Sequence, residues 1–360
     1  MKNIFRILAI AVLALTVSTE TVWAGNDARR GTAGAPELLI NPWARSAGWG
    51  SVNVANAYGL ESFFTNVAGL TYVKKTEMAY SYSSYFGGKS ALVSAATINA
   101  FGLAQRVFDQ GVLAVYVMSM GFGEIDVTSY NSPEPGFNGT FSPTYMNINL
   151  AYAHSFSSSI HGGAAVKVIT ESTDNVSATG FAIDAGIQYV TGADDELKFG
   201  ISLKNIGNTM SFGGSGLSLT MVNDAGNTFT VESRAAEVEL PTSMNMGFSY
   251  DFLFDKWEQR LTVAGSFTSN AFLKDNFALG LEYSLLNKFQ LRGGYVAQRN
   301  IFSAFDDART TANTGFCGGA SFEIPLSKDK DNNSSISLDY SYRSAFPLKG
   351  THSIGATIKL

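Results

Sequence analysis

The chain has 360 residues, 45% of them hydrophobic and only 15% charged, with a net charge of −5. A soluble domain normally carries about a quarter charged residues. There is no basic stripe of the kind that binds nucleic acid, so that partner is excluded. The 36 glycines, 26 phenylalanines and 15 tyrosines, against 8 prolines, suit a sheet with closely packed strands and aromatic rims.

The first residues have the layout of an export signal. Lys2 and Arg6 precede an apolar core from Ile7 to Val17, and Val22-Trp23-Ala24 offers a cleavage site before Gly25. Residues 1–24 are therefore expected to be a signal peptide. No cysteine follows the cleavage point, so a lipoprotein is not expected. Beyond it no apolar run is long enough for a transmembrane helix, which leaves a soluble exported protein or a barrel.

Residues 25–74 do not alternate. They are rich in Gly and Ala, with Trp43, Trp49, Phe63 and Phe64 scattered among them. A segment of this kind ahead of the first strand is expected to fold back into the lumen as a plug; the alternative is a periplasmic tail.

From Lys75 onward the dominant signal is period-two alternation. Met244, Met246, Phe248, Tyr250 and Phe252 share one face, opposite Ser243, Asn245, Gly247, Ser249 and Asp251. The expected strands are 76–85, 89–101, 111–121, 144–155, 160–172, 178–191, 195–206, 243–254, 259–269, 276–286, 288–297, 314–325, 335–345 and 351–360. The long connections 122–143, 207–242 and 298–313 all follow odd-numbered strands. Those after even-numbered strands are mostly tight, such as Ser157 to Ser159, Asp255 to Trp257 and Lys328 to Asn333. A sandwich has no reason to sort loops by parity, whereas outer-membrane barrels pair short periplasmic turns with longer extracellular loops. The fold class read from the chain is all-β: a transmembrane antiparallel β-barrel of about fourteen strands (75–360), both ends starting from the periplasmic side.

The loop between Asn208 and Glu239 holds two apolar clusters, Leu217, Leu219 and Met221, then Phe229 and Val231, around Asn223-Asp224-Ala225-Gly226. This spacing predicts a β-hairpin. It could recruit a partner by strand addition, or fold over the barrel mouth as a lid.

Several segments resemble the PorV/PorQ family of outer-membrane proteins associated with the type IX secretion system. They are AGAPELLINPWARSAGWGSVNVANAYG (Ala33 to Gly59), then Asn66, Val67, Ala68, Gly69 and Leu70, where the family usually has proline in place of Val67. LKNIG (Leu203 to Gly207), LPTSMNMGFSYDF from Leu240, LGLEY, LRGGY, LDYSY and the closing THSIGATIKL also fit. The resemblance covers nearly the whole mature chain. It implies a fatty-acid-channel-like barrel with fourteen strands and an N-terminal plug carrying Asn66, Ala68, Gly69 and Leu70. It also implies docking or shuttling of secreted cargo, or anchoring of surface partners, with membrane lipid and other secretion-system components as partners. The alternative is an outer-membrane transporter for hydrophobic small molecules, which this barrel type also supports.

Chemistry-bearing residues are sparse, and neither an enzyme nor a cofactor or metal is expected. His154 continues the apolar face of Ile148, Leu150 and Tyr152, which suits interfacial anchoring better than a Ser-His hydrolase site. Glu282 and Arg292 fall on adjacent strands with polar faces inward and are expected to pair in the lumen, alongside Asp184, Asp251, Asp339 and Arg343. Asp329, Asp331 and Asn333 mimic the start of a calcium loop, but Ser334 and Tyr340 stand where its glycine and closing carboxylate belong. Cys317 reads as a packed small residue.

Overall fold

The computed structural model describes residues 29–360 apart from 87–95, 135, 137, 255–257, 299–311 and 327–333. The expected signal peptide, most of the 298–313 loop, the turn at 255–257 and the Asp329–Asn333 motif lie outside the described residues.

Fourteen strands close into one antiparallel barrel. In chain order they are β1 (Thr76–Tyr85), β2 (Ala96–Val107), β3 (Gly111–Gly121), β6 (Thr144–Ser155), β7 (Ile160–Thr173), β8 (Val176–Thr191), β9 (Leu197–Gly207), β12 (Ser243–Phe254), β13 (Gln259–Asn270), β14 (Asn276–Leu285), β15 (Phe289–Gln298), β16 (Gly315–Pro325), β17 (Ser335–Arg343) and β18 (Thr351–Lys359). Two small hairpins, β4 (Ile125–Asp126) with β5 (Thr140–Phe141) and β10 (Ser218–Val222) with β11 (Thr228–Glu232), sit in the long loops. Closure is made by β1 against β18, from Glu77 opposite Lys359 to Ser84 opposite His352.

The alternation read from the sequence becomes an outside and an inside. On β8 and β14 the outward residues Phe181, Ile187, Leu279 and Leu281 are exposed, while Asp184, Gln188 and Glu282 on the opposite face are buried. Outward rings pair near both rims: Phe289 with Phe322 (4.8 Å) and Phe199 with Phe248 (5.5 Å) at one end, Phe267 with Phe277 (4.8 Å) and Tyr295 with Phe316 (4.8 Å) at the other. An apolar belt between aromatic girdles is what a bilayer requires of a barrel wall.

Two expectations need correction. The second strand was expected at 89–101; residues 89–95 lie outside the described residues, and the strand runs over Ala96–Val107, past the expected end. Its alternation continues through Leu103 and Ala104, and its register against β1 runs to Gln105 opposite Thr76. The amino-terminal segment was expected to start on the periplasmic side. Instead Arg29 pairs with Glu239 (2.5 Å), and Gly34 N–H donates to Glu239 C=O (2.9 Å), just before β12 begins at the opposite rim.

From that rim the chain descends and circles the inside of the wall. Ala44 lies against Gly355 of β18, Gly48 against Gly319 of β16, and Trp49 against Gly294 of β15. Val52 then lies against Gly280 of β14, Val54 against Gly247 of β12, and Val67 against Gly163 of β7. The segment thus follows the strands in order, as a ring laid on a belt of inward glycines. A Cβ on Gly280 would stand 2.6 Å from Val52 Cγ1, and one on Gly294 2.6 Å from the Trp49 carbonyl oxygen. Glycine is needed there because the ring's backbone occupies the space a side chain would take.

Gly280→Val is expected to cost about 1–3 kcal/mol by overpacking against Val52. Gly265→Val, whose added Cβ would meet nothing closer than 3.5 Å, should cost far less. Urea midpoints of the refolded variants in detergent check this.

Candidate functional site

Above the ring, toward the extracellular rim, lies a cavity of about 730 Å³. Its floor is the ring's upper surface, including Gly50, Ser51, Val54, Phe64 and Thr65. Its two sides differ in chemistry. Leu39, Ile40, Phe86, Met120, Phe122 and Ile125 make one side apolar. Opposite stand Ser243, Asn245, Ser266, Thr268, Asn270 and Asn276, the inward positions of β12 to β14. Thr268 Oγ1 donates to Asn245 Oδ1 (2.8 Å), and Asn245 Nδ2 donates to Ser202 Oγ (3.3 Å), so these polar groups are fixed to one another.

Lys204, at the edge of the polar side, also lines the cavity and is only 6% exposed. Its ammonium stands 3.6 Å from the centre of the Phe64 ring, a cation–π contact. Nearby, Lys167 Nζ is 2.6 Å from Asp184 Oδ2 and donates to Asn205 Oδ1 at 2.7 Å. A bulge sets this geometry: the β8–β9 register shifts between Ile183 and Ala185, and Asn205, at φ 59°, donates its N–H to Asp184 Oδ1 (2.8 Å).

The amino-terminal segment is fastened beside the cavity. Arg29 stacks over the Phe272 ring at 4.2 Å as well as pairing with Glu239. Pro36, Glu37, Leu39 and Ile40 then line the cavity as the chain descends.

Below the ring the lumen is charged. Glu282 accepts from Arg292 Nε (2.6 Å) and from Arg260 Nη2 (2.7 Å), bringing together the two residues singled out from the sequence and adding a third. Arg45 of the ring lies between Glu61 (3.9 Å) and Asp339 (3.7 Å). Burial pushes the Glu61 carboxyl up to about 7, only partly offset by Arg45.

The residues of the family-like Asn66–Leu70 stretch sit where the ring meets β8. Asn66 caps a short 3₁₀ turn, Val67–Tyr72, by accepting from Ala68 N–H (3.2 Å), and its amide donates to Val54 C=O and Ile187 C=O (3.0 Å each). Val67 takes the first turn position, where a proline's missing N–H would cost nothing. Gly69 packs on the Ala57 carbonyl, and Ala68 and Leu70 are fully buried.

The hairpin residues are elsewhere. Leu219 stands opposite Val231 and Met221 opposite Phe229, so these four share one face. Leu219, Met221 and Phe229 are exposed, Leu217 and Val231 are half-buried, and none of the five lines the cavity. Of the remaining candidates, Asp184, Asp251 and Asp339 are buried inward, and Arg343 lines the cavity with Nη2 on Asn313 C=O (2.9 Å). His154 meets Tyr152 at the outer rim, and Cys317 is buried beside Gly50. Among the described residues no cluster of His, Cys, Asp or Glu is arranged to hold a metal. Sequence reading missed Lys204 and Lys167. Alternation alone places Lys204 inward with Ser202 and Gly200, but nothing local marks it as facing a cavity.

This geometry has relatives among solved structures. The toluene transporter TodX of Pseudomonas putida superposes with a TM-score of 0.53 at 12% identity, over 89% of this chain and 97% of that one. A TodX monoaromatic hydrocarbon channel mutant (deltaS2) gives 0.52 at 14% identity, over 89% and 98%. A FadL homologue of Pseudomonas aeruginosa gives 0.51 at 12%, over 88% and 98%. The chain is an outer-membrane multi-pass β-barrel. At these identities the likeness is one of fold. No protein-family model matches the chain, and no curated protein matches it.

Two outcomes are expected in the lower lumen. Glu282→Ala leaves Arg292 and Arg260 facing each other without a counter-charge and should cost about 3–5 kcal/mol, whereas Glu282→Leu with Arg292→Met and Arg260→Met should recover most of it; urea midpoints compare them. The raised Glu61 carboxyl contributes stability that is full below about 4.5 and is lost as pH rises through about 7. Glu61→Gln should therefore remove about 3 kcal/mol of difference between midpoints measured below and above that window.

Proposed function

We propose that this barrel admits hydrophobic small molecules through the outer membrane, with the cavity above the ring as their binding site. The observation that carries this reading is a cavity whose one side is apolar, built by Leu39, Ile40, Met120 and Phe122, and faces a polar side built by β12 to β14. A water channel has no use for buried apolar surface, whereas ligand pockets combine such surface with a few placed polar groups. The ring acts as the plug: it closes the lumen beneath the bound molecule, and a shift of the ring or an opening in the wall lets the molecule leave. The fold shared with TodX and the FadL homologue supports the same reading. In it the chain binds and passes molecules without transforming them.

Radiolabelled decanol taken up by intact cells tests this. Cells making the protein should accumulate it several-fold faster than deletion cells, and Met120→Lys, which places a charge on the apolar side, should abolish the gain. Equal uptake by producing and deletion cells would remove the reading.

A second reading follows from the resemblance to the PorV/PorQ family, in which the barrel docks or shuttles secreted cargo of a type IX system. One feature favours it: the β10–β11 hairpin presents Leu219, Met221 and Phe229 to solvent and lies off the cavity. An exposed amphipathic hairpin of this kind suits recruitment of a partner. Deleting residues 217–231 should abolish co-purification of partners from solubilised outer membranes while leaving decanol uptake unchanged.

A further inference from the structure

We infer that the carboxylates of Glu37 and Glu171, together with the Tyr145 hydroxyl, bind a divalent cation of the calcium class that ties the amino-terminal segment to the inner wall of the barrel.

Glu37 lies in the short turn Pro36–Leu39 of the descending segment. Glu171 lies near the extracellular end of β7, directly opposite Tyr145 of β6 and therefore on the same inward face. The two carboxyls are in contact, and Glu171 also faces the backbone N–H of Ala35. Among the described residues no lysine, arginine or histidine stands within salt-bridge distance of either acid. Other acids inside the barrel are matched: Asp184 holds Lys167, Asp251 holds Lys198, and Glu282 holds two arginines. Two carboxylates in contact cannot both ionise unless a positive charge joins them.

That charge is either a shared proton or a metal ion, and two unpaired oxygens decide between them. Glu37 Oε2 is buried without a hydrogen-bond partner, and so is the hydroxyl of Tyr145, a residue only 1% exposed. The Tyr145 hydroxyl lies within electrostatic reach of both carboxylates, so it points toward the pair. A shared proton joins one oxygen of each carboxyl and leaves these two oxygens bare, which is costly in a buried place. An ion seated among them engages both at once.

The donor set is all oxygen, which selects a hard cation. Two carboxylates cancel its double charge, and the phenol oxygen adds a neutral ligand. Glu37 also lines the cavity, so water can reach the open side of the ion and complete its shell. Calcium accepts such an irregular, partly hydrated set, whereas magnesium demands a near-octahedral one. With only two acids the site is a bridge between segment and wall, and its affinity should fall among the weaker calcium sites, with a Kd of about 0.1–1 mM.

The test is calorimetric titration of calcium chloride into the full chain at neutral pH. The protein is refolded in a neutral detergent free of lipopolysaccharide and stripped with a chelator. The wild type should bind one ion per barrel. Glu37→Gln and Glu171→Gln should each weaken binding at least about tenfold, while Glu239→Gln, which alters an exposed acid at the same rim, should leave it unchanged. The shift in gel mobility on heating shows which variants are folded barrels. Calcium should also raise the unfolding temperature of the wild type and leave that of Glu171→Gln where it was. No calcium binding by the wild type means that the pair holds a proton only and overturns the assignment. Binding that survives intact in Glu171→Gln overturns it as well.

Discussion

Everything in this structure follows from the closing of β1 onto β18. In a bilayer no water is at hand to satisfy a peptide group, so a sheet crosses only if its last edge finds its first. Closure fixes the number of strands and sends one face of every strand to lipid and the other to the lumen. It also creates an interior too wide for short inward side chains to fill by themselves. Residues 35–73 fill it, and the inward glycines are the imprint of that occupation on the wall. Wall and ring are thus complementary in composition: where the ring brings backbone, the wall brings none of its own side chains.

Much of this was legible in the chain. Alternation gave the strands, because a wall facing lipid on one side and polar groups on the other has no other way to be written. The Glu282–Arg292 pair was legible too: the tight turn at Leu286 to Lys288 leaves little freedom of register, and the two residues end up directly opposite. The second strand was ended too soon because its polar end, Gln105-Arg106, resembles a turn. The ring's path was not legible, since each of its contacts joins residues far apart in sequence and its own conformation has no period. Lys204 escaped for a related reason. Its surroundings depend on a bulge at Asp184 whose carboxylate engages Lys167 and the Asn205 amide instead.

The lumen is divided by chemistry as well as by the ring. Beneath it, ions are arranged in pairs and triads that consume one another's charge, as buried ions must to be tolerated. Above it, charges are few and one side is greasy. The lower half therefore holds the ring through paired ions, and the upper half leaves the cavity open above it.

The course of the amino-terminal segment has a consequence for how such a molecule is put together. Arg29 sits at one rim and Thr76 leaves from the other, so the polypeptide runs through its own barrel like a cord through a sleeve. Either the free end travels the length of the lumen after the wall is complete, or the wall is wrapped around a cord already in position. Assembly of this barrel is then a problem of lacing as much as of folding, and the seam between the first and last strands is where the lacing is drawn tight.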